Sequence, residues 1–138
     1  MPSHQIFVNM PVRDLAKSKA FFAAIGFSFN PQFTDDNAAC MILGDRGYAM
    51  LLTETFFKTF TKRAVSDARE RTEVMIALSC DSRGEVDTLL DKALGAGATR
   101  AMDPVTHGDI MYGASFYDPD GHHWEFFWMD PKMAQPQN

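Results

Sequence analysis

The sequence has few of the features that direct a protein to membranes, to the secretory pathway or to nucleic acid. Only two of its 138 residues are cysteine. No apolar run approaches the roughly 20 residues that a membrane-spanning helix needs, and the N-terminus lacks the basic-then-apolar order of a secretory signal. Acidic residues outnumber basic ones, 18 to 13, and the net charge of −5 disfavours nucleic acid as a partner, because phosphate contacts need a basic surface. We therefore expect a cytoplasmic protein that binds neither membranes nor nucleic acid.

Two common kinds of catalytic motif are also absent. The chain contains no glycine-rich phosphate loop and no nucleophile elbow, which gives no support to a nucleotide-dependent enzyme or a serine hydrolase. Cys40 and Cys80 each lie in an apolar, strand-like stretch without an adjacent histidine. That setting is typical of buried, inert thiols, and we interpret both residues as reduced cysteines rather than as a disulfide.

What the sequence does contain is an internal repeat. Each half begins with an apolar strand followed by a capped amphipathic helix, and each half ends with a hairpin of apolar strands. Placing Val12 over Cys80 aligns the two strand–helix starts, and placing Gly47 over Gly121 aligns the two hairpins. The doubled pattern predicts two copies of one structural unit.

The repeat predicts an α+β fold of two βαβββ modules. We place the modules at about residues 5–54 and 73–130, joined by a polar, partly helical linker at 55–72, with a frayed tail at 131–138. The two modules are expected to pair within one domain, residues 1–138, so that their strands form a curved mixed sheet around a cleft.

Side chains alternate between the two faces of a strand, which separates core residues from cleft residues. In the last strand, Trp124, Phe126 and Trp128 suit a helix-covered core, so the residues between them are expected to face the cleft. Mostly apolar linings with a few polar groups are typical of small-molecule pockets. The predicted cleft residues are Phe7, Asn9, Ala49, Leu51, Thr53, Glu73, Met75, Ala77, Ser79, His123, Glu125 and Phe127.

Glu125 is the central candidate, since a carboxylate in an apolar strand is costly unless it is compensated. It could be a metal ligand, a general base or ligand-binding acid in a pocket, or a structural acid with hydrogen-bond partners. His123 lies on the same predicted face, where it could share a proton with Glu125 or bind a metal together with Asn9 and Ser79. The alternative for His123 is a local hydrogen bond at the turn.

Two further candidates depend on local structure. Asn9 occupies a strand, where asparagine is disfavoured, and is expected to be either a hydrogen-bonding pocket residue or a bulge residue. His107 and Tyr112 lie in residues 101–113, which we predict to be a long loop or an irregular edge. These two side chains could cover the mouth of the pocket, or the loop could simply be solvated.

The opening "FVNMPVRDLAKSKAFF", the closing "FYDPDGHHWEFF" and the doubled module resemble the vicinal oxygen chelate superfamily. That superfamily contains glyoxalase I, extradiol dioxygenases, methylmalonyl-CoA epimerase and the bleomycin and fosfomycin resistance proteins. The resemblance covers residues 5–130 and is closest to bacterial proteins described as predicted lactoylglutathione lyases. It implies a glyoxalase-like fold, a small-molecule ligand and a homodimer.

In metal-dependent members of the superfamily, four strands each supply one ligand. By position, the resemblance assigns these places to Phe7, Leu51, Met75 and Glu125, of which only Glu125 can bind a hard divalent metal. The resemblance therefore implies an incomplete metal site, and we expect no metal ligand set at these positions.

These observations predict a glyoxalase-like protein that binds a small, partly apolar molecule, with a lyase or isomerase activity in which Glu125 is the base and Asn9 orients the substrate. The first alternative is a non-catalytic protein that sequesters a drug or metabolite, as bleomycin resistance proteins do. The second alternative is a metal-dependent lactoylglutathione lyase. The predicted substrate-binding residues are Asn9, Phe7, Leu51, Met75, Ser79, Tyr112, His123 and Phe127.

Overall fold

The computed structural model of the protein describes residues 4–134. The chain divides into two compact units, Met1–Asp67 and Ala68–Asn138. Short 3-10 turns occur at Pro31–Phe33 and Lys58–Phe60. The regular elements, in chain order, are β1 (Ile6–Val12), α1 (Leu15–Ile25), β2 (Phe29–Asn30), β3 (Ala38–Ile42), β4 (Gly47–Thr53), α2 (Glu54–Phe57), β5 (Met75–Ser79), α3 (Arg83–Gly95), β6 (Thr99–His107), β7 (Met111–Tyr117), β8 (His123–Met129) and α4 (Pro131–Ala134).

The first unit is a four-stranded mixed sheet in the order β1-β4-β3-β2. β1 pairs with β4 in parallel, and the remaining pairs are antiparallel. α1 starts where the Asp14 carboxylate accepts a hydrogen bond from the backbone N–H of Lys17 at 3.1 Å. It ends at Gly26, whose φ of +119° suits a residue without a side chain. The buried stripe of α1, which includes Phe22 and Ile25, packs on β3 and β4.

The second unit repeats this design with the strand order β5-β8-β7-β6. β5 and β8 are parallel, and β8, β7 and β6 are antiparallel. The hydroxyl of Ser82 accepts a hydrogen bond from the backbone N–H of Glu85 at 3.0 Å and starts α3. The buried residues Val86, Leu90 and Ala93 lie on α3, which packs on β7 and β8 over Trp124.

The sequence from residue 101 to 113, for which we considered a long loop or an irregular edge, forms an edge. β6 is the last strand of its sheet, and its pairing with β7 shifts register between Arg100 and Met102 and again between Met102 and Val105. Such shifts interrupt the two-residue alternation of side chains, which explains why this segment does not look like a strand in the sequence.

The turn before β8 is built around a buried acid, Asp118. Its carboxylate accepts hydrogen bonds from the backbone N–H groups of Asp120 at 2.9 Å and His122 at 3.0 Å and from the indole N–H of Trp124 at 2.9 Å. Burial raises the pKa of the Asp118 carboxyl above its ordinary value. The acid therefore belongs to the framework of the hairpin.

The predicted α+β class and the doubled βαβββ order are confirmed, with each module building its own four-stranded mixed sheet. The linker predicted at 55–72 contains the end of α2 and a 3-10 turn. The tail predicted at 131–138 begins with α4, and residues 135–138 lie outside the described part of the chain. None of the helices between residues 4 and 134 is long and apolar enough to cross a membrane.

Candidate functional site

One face of the second sheet carries Glu125, and the strand register defines its neighbours. Residues that are directly opposite each other in paired strands have side chains on the same side of the sheet. The sequence-based assignment of β5 and β8 to faces is confirmed by their pairing, which runs without a shift from Met75 opposite His123 to Ser79 opposite Phe127. We call this surface the Glu125 face; its members on β5, β7 and β8 are Met75, Ala77, Ser79, Met111, Gly113, Ser115, Tyr117, His123, Glu125, Phe127 and Met129.

Glu125 lies at the middle of this face between Ala77 on β5 and Ser115 on β7. The absence of a side chain at Gly113 leaves space above the sheet, and the carboxyl carbon of Glu125 is 3.6 Å from where a Cβ of residue 113 would lie. The side chain is half-buried. In the part of the chain that the structure describes, no hydrogen bond or ion pair reaches its carboxylate.

His123 occupies the same face and is buried, with 9% of its surface exposed. Its ring contacts Tyr117 edge to face, with the ring centroids 5.5 Å apart. The side chain is thus held in a fixed orientation one pleat away from Glu125. It is packed against an aromatic ring, so the local turn hydrogen bond considered above is not the contact that holds it.

The edges of the Glu125 face expose large apolar side chains. Met75 on β5 is 68% exposed, and Met102 and Val105 on β6 are 60% and 41% exposed. The register places Met102 opposite Ser115 and Val105 opposite Gly113, on the same side of the sheet as Glu125. A surface of this composition can bury apolar area on binding, which makes it a candidate ligand-binding surface.

In the first unit, Phe7 and Asn9 also share one exposed face. Phe7 is 46% exposed and stacks on Tyr48 with the ring centroids 4.8 Å apart. Asn9 lies opposite Met50 in a pairing of β1 with β4 that contains no register shift. Asn9 is therefore a regular strand residue, and the bulge alternative for this position is wrong.

The assignment of Leu51 to the cleft face is wrong. Leu51 lies opposite Met10, whereas Phe7 lies opposite Tyr48, so Leu51 and Phe7 are on different sides of the sheet. Leu51 is fully buried, in the layer that packs under α1 with Met10. The residue that corresponds to Glu125 in the first module is instead Met50, because Met50 pairs with β1 as Glu125 pairs with β5.

The placement of Tyr112 at a pocket mouth is also wrong. Tyr112 lies on β7 opposite Trp128, which puts it on the face covered by α3. Its hydroxyl donates a 2.5 Å hydrogen bond to Asp87 of α3, and this bond raises the pKa of the phenol. The guanidinium of Arg83 lies over both rings, 5.7 Å from the Tyr112 centroid and 4.9 Å from that of Trp128. Tyr112 therefore fastens the sheet to the helix.

The residues at the family's ligand positions do not fit a hard divalent metal. Phe7 and Met75 occupy two of these positions, Met50 replaces Leu51 at the third, and Glu125 is the fourth. Zinc, nickel, iron and manganese sites need several nitrogen or oxygen donors, or thiolates in the case of zinc, and thioethers select softer ions. In the described chain, no group of three or more His, Cys, Asp or Glu side chains is arranged to hold a metal.

The sequence interpretation missed five residues of the Glu125 face, Met129 on β8 and four on β7: Met111, Gly113, Ser115 and Tyr117. Gly113 makes room for the Glu125 side chain, Ser115 lies directly opposite it, and Tyr117 packs on His123. The signal was available, because the alternation applied to β8 would have placed every second residue of β7 on the same face. The segment was interpreted as a hairpin without an assignment of its faces.

A separate cavity of about 350 Å³ lies at the turn end of the second unit. It is lined by residues 68–72, by Thr99 and by the turn from Tyr117 to Gly121. Tyr117 of the Glu125 face lines it together with Thr99, which the register places opposite Tyr117 on the same side of the sheet, so the cavity adjoins that face.

Three comparisons place this geometry among known proteins. The family model described as bleomycin resistance protein-like N-terminal matches residues 5–44. A hypothetical protein from S. aureus is 32% identical, with 93% of this chain and 94% of that chain covered and a TM-score of 0.76. The match at residues 5–44, together with the fold shared with the proteins described next, places this chain with the glyoxalase/bleomycin resistance/dioxygenase proteins. The family resemblance predicted from the sequence is thus confirmed.

More distant members of the family share the fold. A glyoxalase/bleomycin resistance protein/dioxygenase family enzyme from Burkholderia phytofirmans is 17% identical, with 93% of this chain and 100% of that chain covered and a TM-score of 0.76. Lactoylglutathione lyase from Agrobacterium tumefaciens is 14% identical, with 99% and 100% covered and a TM-score of 0.70. No curated protein matches the sequence significantly.

Proposed function

We propose that the protein binds a small, partly apolar molecule on the Glu125 face and acts on it as a lyase or isomerase, with Glu125 as the general base. The observation that carries this proposal is that Glu125 is half-buried while its carboxylate oxygens stay in contact with solvent and receive no hydrogen bond or ion pair from the described residues. A structural acid in such a place normally has partners, as Asp118 does in the same hairpin.

The chemistry that fits this arrangement is proton transfer. A carboxylate with unoccupied lone pairs beside exposed apolar side chains can accept a proton from a ligand that buries itself against them. His123, fixed against Tyr117, lies one pleat away and is a candidate partner in that transfer. Met75, Ser79 and Phe127 are proposed as ligand contacts on the same face, and Phe7 and Asn9 stay predicted ligand contacts from the first unit.

A second candidate function is sequestration of a drug or metabolite without turnover. It is favoured by the match of residues 5–44 to a bleomycin resistance protein-like family model. A lactoylglutathione lyase reaction that depends on a metal, as suggested by one distant neighbour of that name, is disfavoured by the donors at Phe7, Met50 and Met75.

Two broader features belong to the same proposal. The family resemblance suggests a homodimer, and the exposed apolar edges of both sheets, which include Ile6 and Val74, are consistent with a further contact surface. The two free cysteines suit the reducing cytoplasm, with Cys40 buried and Cys80 half-buried.

The test is the Glu125→Gln variant, assayed for ligand binding by thermal shift and for turnover of each ligand found. Binding to the native state must stabilise it, so a ligand is detected without knowledge of the reaction. We expect the variant to retain binding and to lose turnover, because glutamine has nearly the same shape but cannot act as a base. Retained turnover would contradict the base role. Ligands that bind the wild-type protein without conversion would favour sequestration.

A further inference from the structure

The Glu125 carboxylate carries a charge that the second unit does not neutralise. Its oxygens are in contact with solvent, and a ligand that displaces this water must supply hydrogen-bond donors or an opposite charge of its own. Among the described residues, none supplies such a contact to Glu125. This leaves the Glu125 carboxylate open to a ligand, on a face where the register places no other acidic residue.

The basic side chains on this side of the sheet are two histidines, His123, which packs on Tyr117, and His107 at the end of β6 opposite Met111. Among the residues that the register places on it, none is lysine or arginine. The arginines of β6 and α3 lie on the opposite side of the sheet, and Arg69 and Arg71 line the cavity beside Tyr117. Arg100 is opposite Phe116 in the helix-covered layer, and Arg83 of α3 stacks on Trp128 and donates a 3.0 Å hydrogen bond to the carbonyl of Gly108.

The surroundings of the carboxylate suit an organic cation better than a hydrated inorganic one. The aromatic rings of Tyr117 and Phe127 are on the same face, and aromatic faces attract ammonium groups. Met75, at the edge, exposes 68% of its surface and offers apolar area to the rest of such a ligand. A metal ion would need further oxygen or nitrogen donors, which the neighbours Ala77 and Ser115 do not provide in number.

We propose that the ligand of the Glu125 face is an organic cation, a protonated amine carried on an apolar body, with Glu125 as its counter-ion. This inference rests on the proposed function, since it names the class of molecule that the same face binds. It also favours one form of that function. A carboxylate held in an ion pair is not free to accept a proton, so an amine ligand would be sequestered without turnover, and Glu125→Gln would weaken its binding, whereas the same variant would retain the binding of a substrate converted by base catalysis.

The experiment compares matched fragments that differ only in charge. Primary amines, alcohols and carboxylates built on phenylpropyl, cyclohexylethyl and indolylethyl groups are titrated against the full chain, and dissociation constants are measured by NMR chemical-shift perturbation. We expect the amine of each set to bind about tenfold more tightly than its alcohol, and the carboxylate more weakly than either. Shifts should concentrate on the amides of Ser115 and Glu125.

Variants assign the preference to one residue. In Glu125→Gln the amine and the alcohol should bind equally, whereas Asp91→Asn, which removes one charge from the exposed surface of α3, should keep the preference. Equal binding of amine and alcohol to the wild-type protein overturns the cation proposal and leaves ligand binding by this face intact. A preference that survives Glu125→Gln also overturns it. If no fragment binds, both the cation proposal and the proposed function fail.

Discussion

The two modules of this protein close their last hairpin with turns of equal length, since five residues separate the paired residues Ile42 and Tyr48 and five separate Tyr117 and His123. They differ in where the glycine lies: Gly121 of the second turn corresponds to Arg46 of the first, and Gly47 lies one residue further on, so aligning the two glycines puts the strands out of step by one residue. Because side chains alternate, one residue more or less moves every following side chain to the other face of the sheet. Met50 is consequently the counterpart of Glu125, while Leu51, its apparent counterpart in the sequence, is in the core.

The sharpest test of this difference is the turn itself. Gly121 has a φ of +92°, and a Cβ there would lie 2.8 Å from the carbonyl oxygen of Ala68 and 2.9 Å from the Cα of Arg69. Both obstacles are backbone and cannot rotate away. We expect Gly121→Ala to lower the free energy of unfolding by about 2–4 kcal/mol, measured by urea denaturation.

The matched control lies at the start of β4. Gly47 has no positive φ, and a Cβ there meets only the side chain of Leu43 at 3.9 Å, which is an ordinary contact. Gly47→Ala should change stability by less than about 0.5 kcal/mol. Equal losses in the two variants would contradict the view that only the second turn is closed by a tight backbone contact.

A second difference is the tether between α3 and the β6–β7 hairpin. Arg83 stacks on Trp128 and Tyr112 and donates a hydrogen bond to Gly108 in the hairpin. We expect Arg83→Met to cost about 1–2 kcal/mol and to change the fluorescence of Trp128, because both the cation–π contact and the hydrogen bond are lost. Lys92→Met on the exposed side of the same helix is the control, and a similar cost there would show that the effect is one of general charge.

Much of the fold was predictable from local signals. Asp14 and Ser82 start the two helices where the capping residues indicated, and Gly26 ends the first one. The face assignment of β5 and β8 was correct because these strands pair without a shift. Helix caps and strand alternation involve residues only a few positions apart, so they can be predicted from the local sequence.

The errors have long-range causes. Leu51 was misassigned because the alignment of Gly47 with Gly121 is one residue out of step with the pairing of β4 with β1 and β3. Tyr112 was misassigned because two register shifts conceal the strand that pairs with β7. The assignments of residues to strand faces therefore agree with the structure for β5 and β8 and disagree with it for Leu51 on β4 and Tyr112 on β7. Whether the two modules share one cleft is still a prediction from the repeat.

The cysteines offer a chemical comparison between the modules. Cys40 of the first module is 1% exposed, and burial raises the pKa of its thiol. Cys80 of the second is half-buried; burial, with the hydrogen bond and charge of Glu85 adding to it, raises the pKa of its thiol to about 12. Because the thiolate is the reactive form, both cysteines should be alkylated slowly by iodoacetamide at mildly alkaline pH.

Replacement of Glu85 separates the two causes. Glu85→Gln removes the negative charge beside Cys80, which lowers the pKa of the thiol and increases the thiolate fraction. We expect alkylation of Cys80, followed by mass spectrometry, to accelerate about 3- to 10-fold while Cys40 is unchanged. An unchanged rate at Cys80 would mean that burial alone controls this thiol. Asp91→Asn, on the same helix, serves as the control for general charge.

The smallest expected effect is the most informative about Glu125. If Glu125 were a structural acid, Glu125→Met, which installs the residue found at Met50 in the other module, would remove hydrogen bonds and cost about 2 kcal/mol. Since no described residue bonds its carboxylate, we expect a change in the free energy of unfolding within about 0.5 kcal/mol, or a slight gain, in urea denaturation.

Asp118→Asn in the same hairpin is the positive control, since that carboxylate accepts three hydrogen bonds and its replacement should cost about 1–3 kcal/mol. If Glu125→Met lowers the free energy of unfolding as much as Asp118→Asn does, Glu125 is a structural residue of the hairpin. If Glu125→Met leaves the free energy of unfolding unchanged but abolishes ligand binding, the role of Glu125 is to bind the ligand.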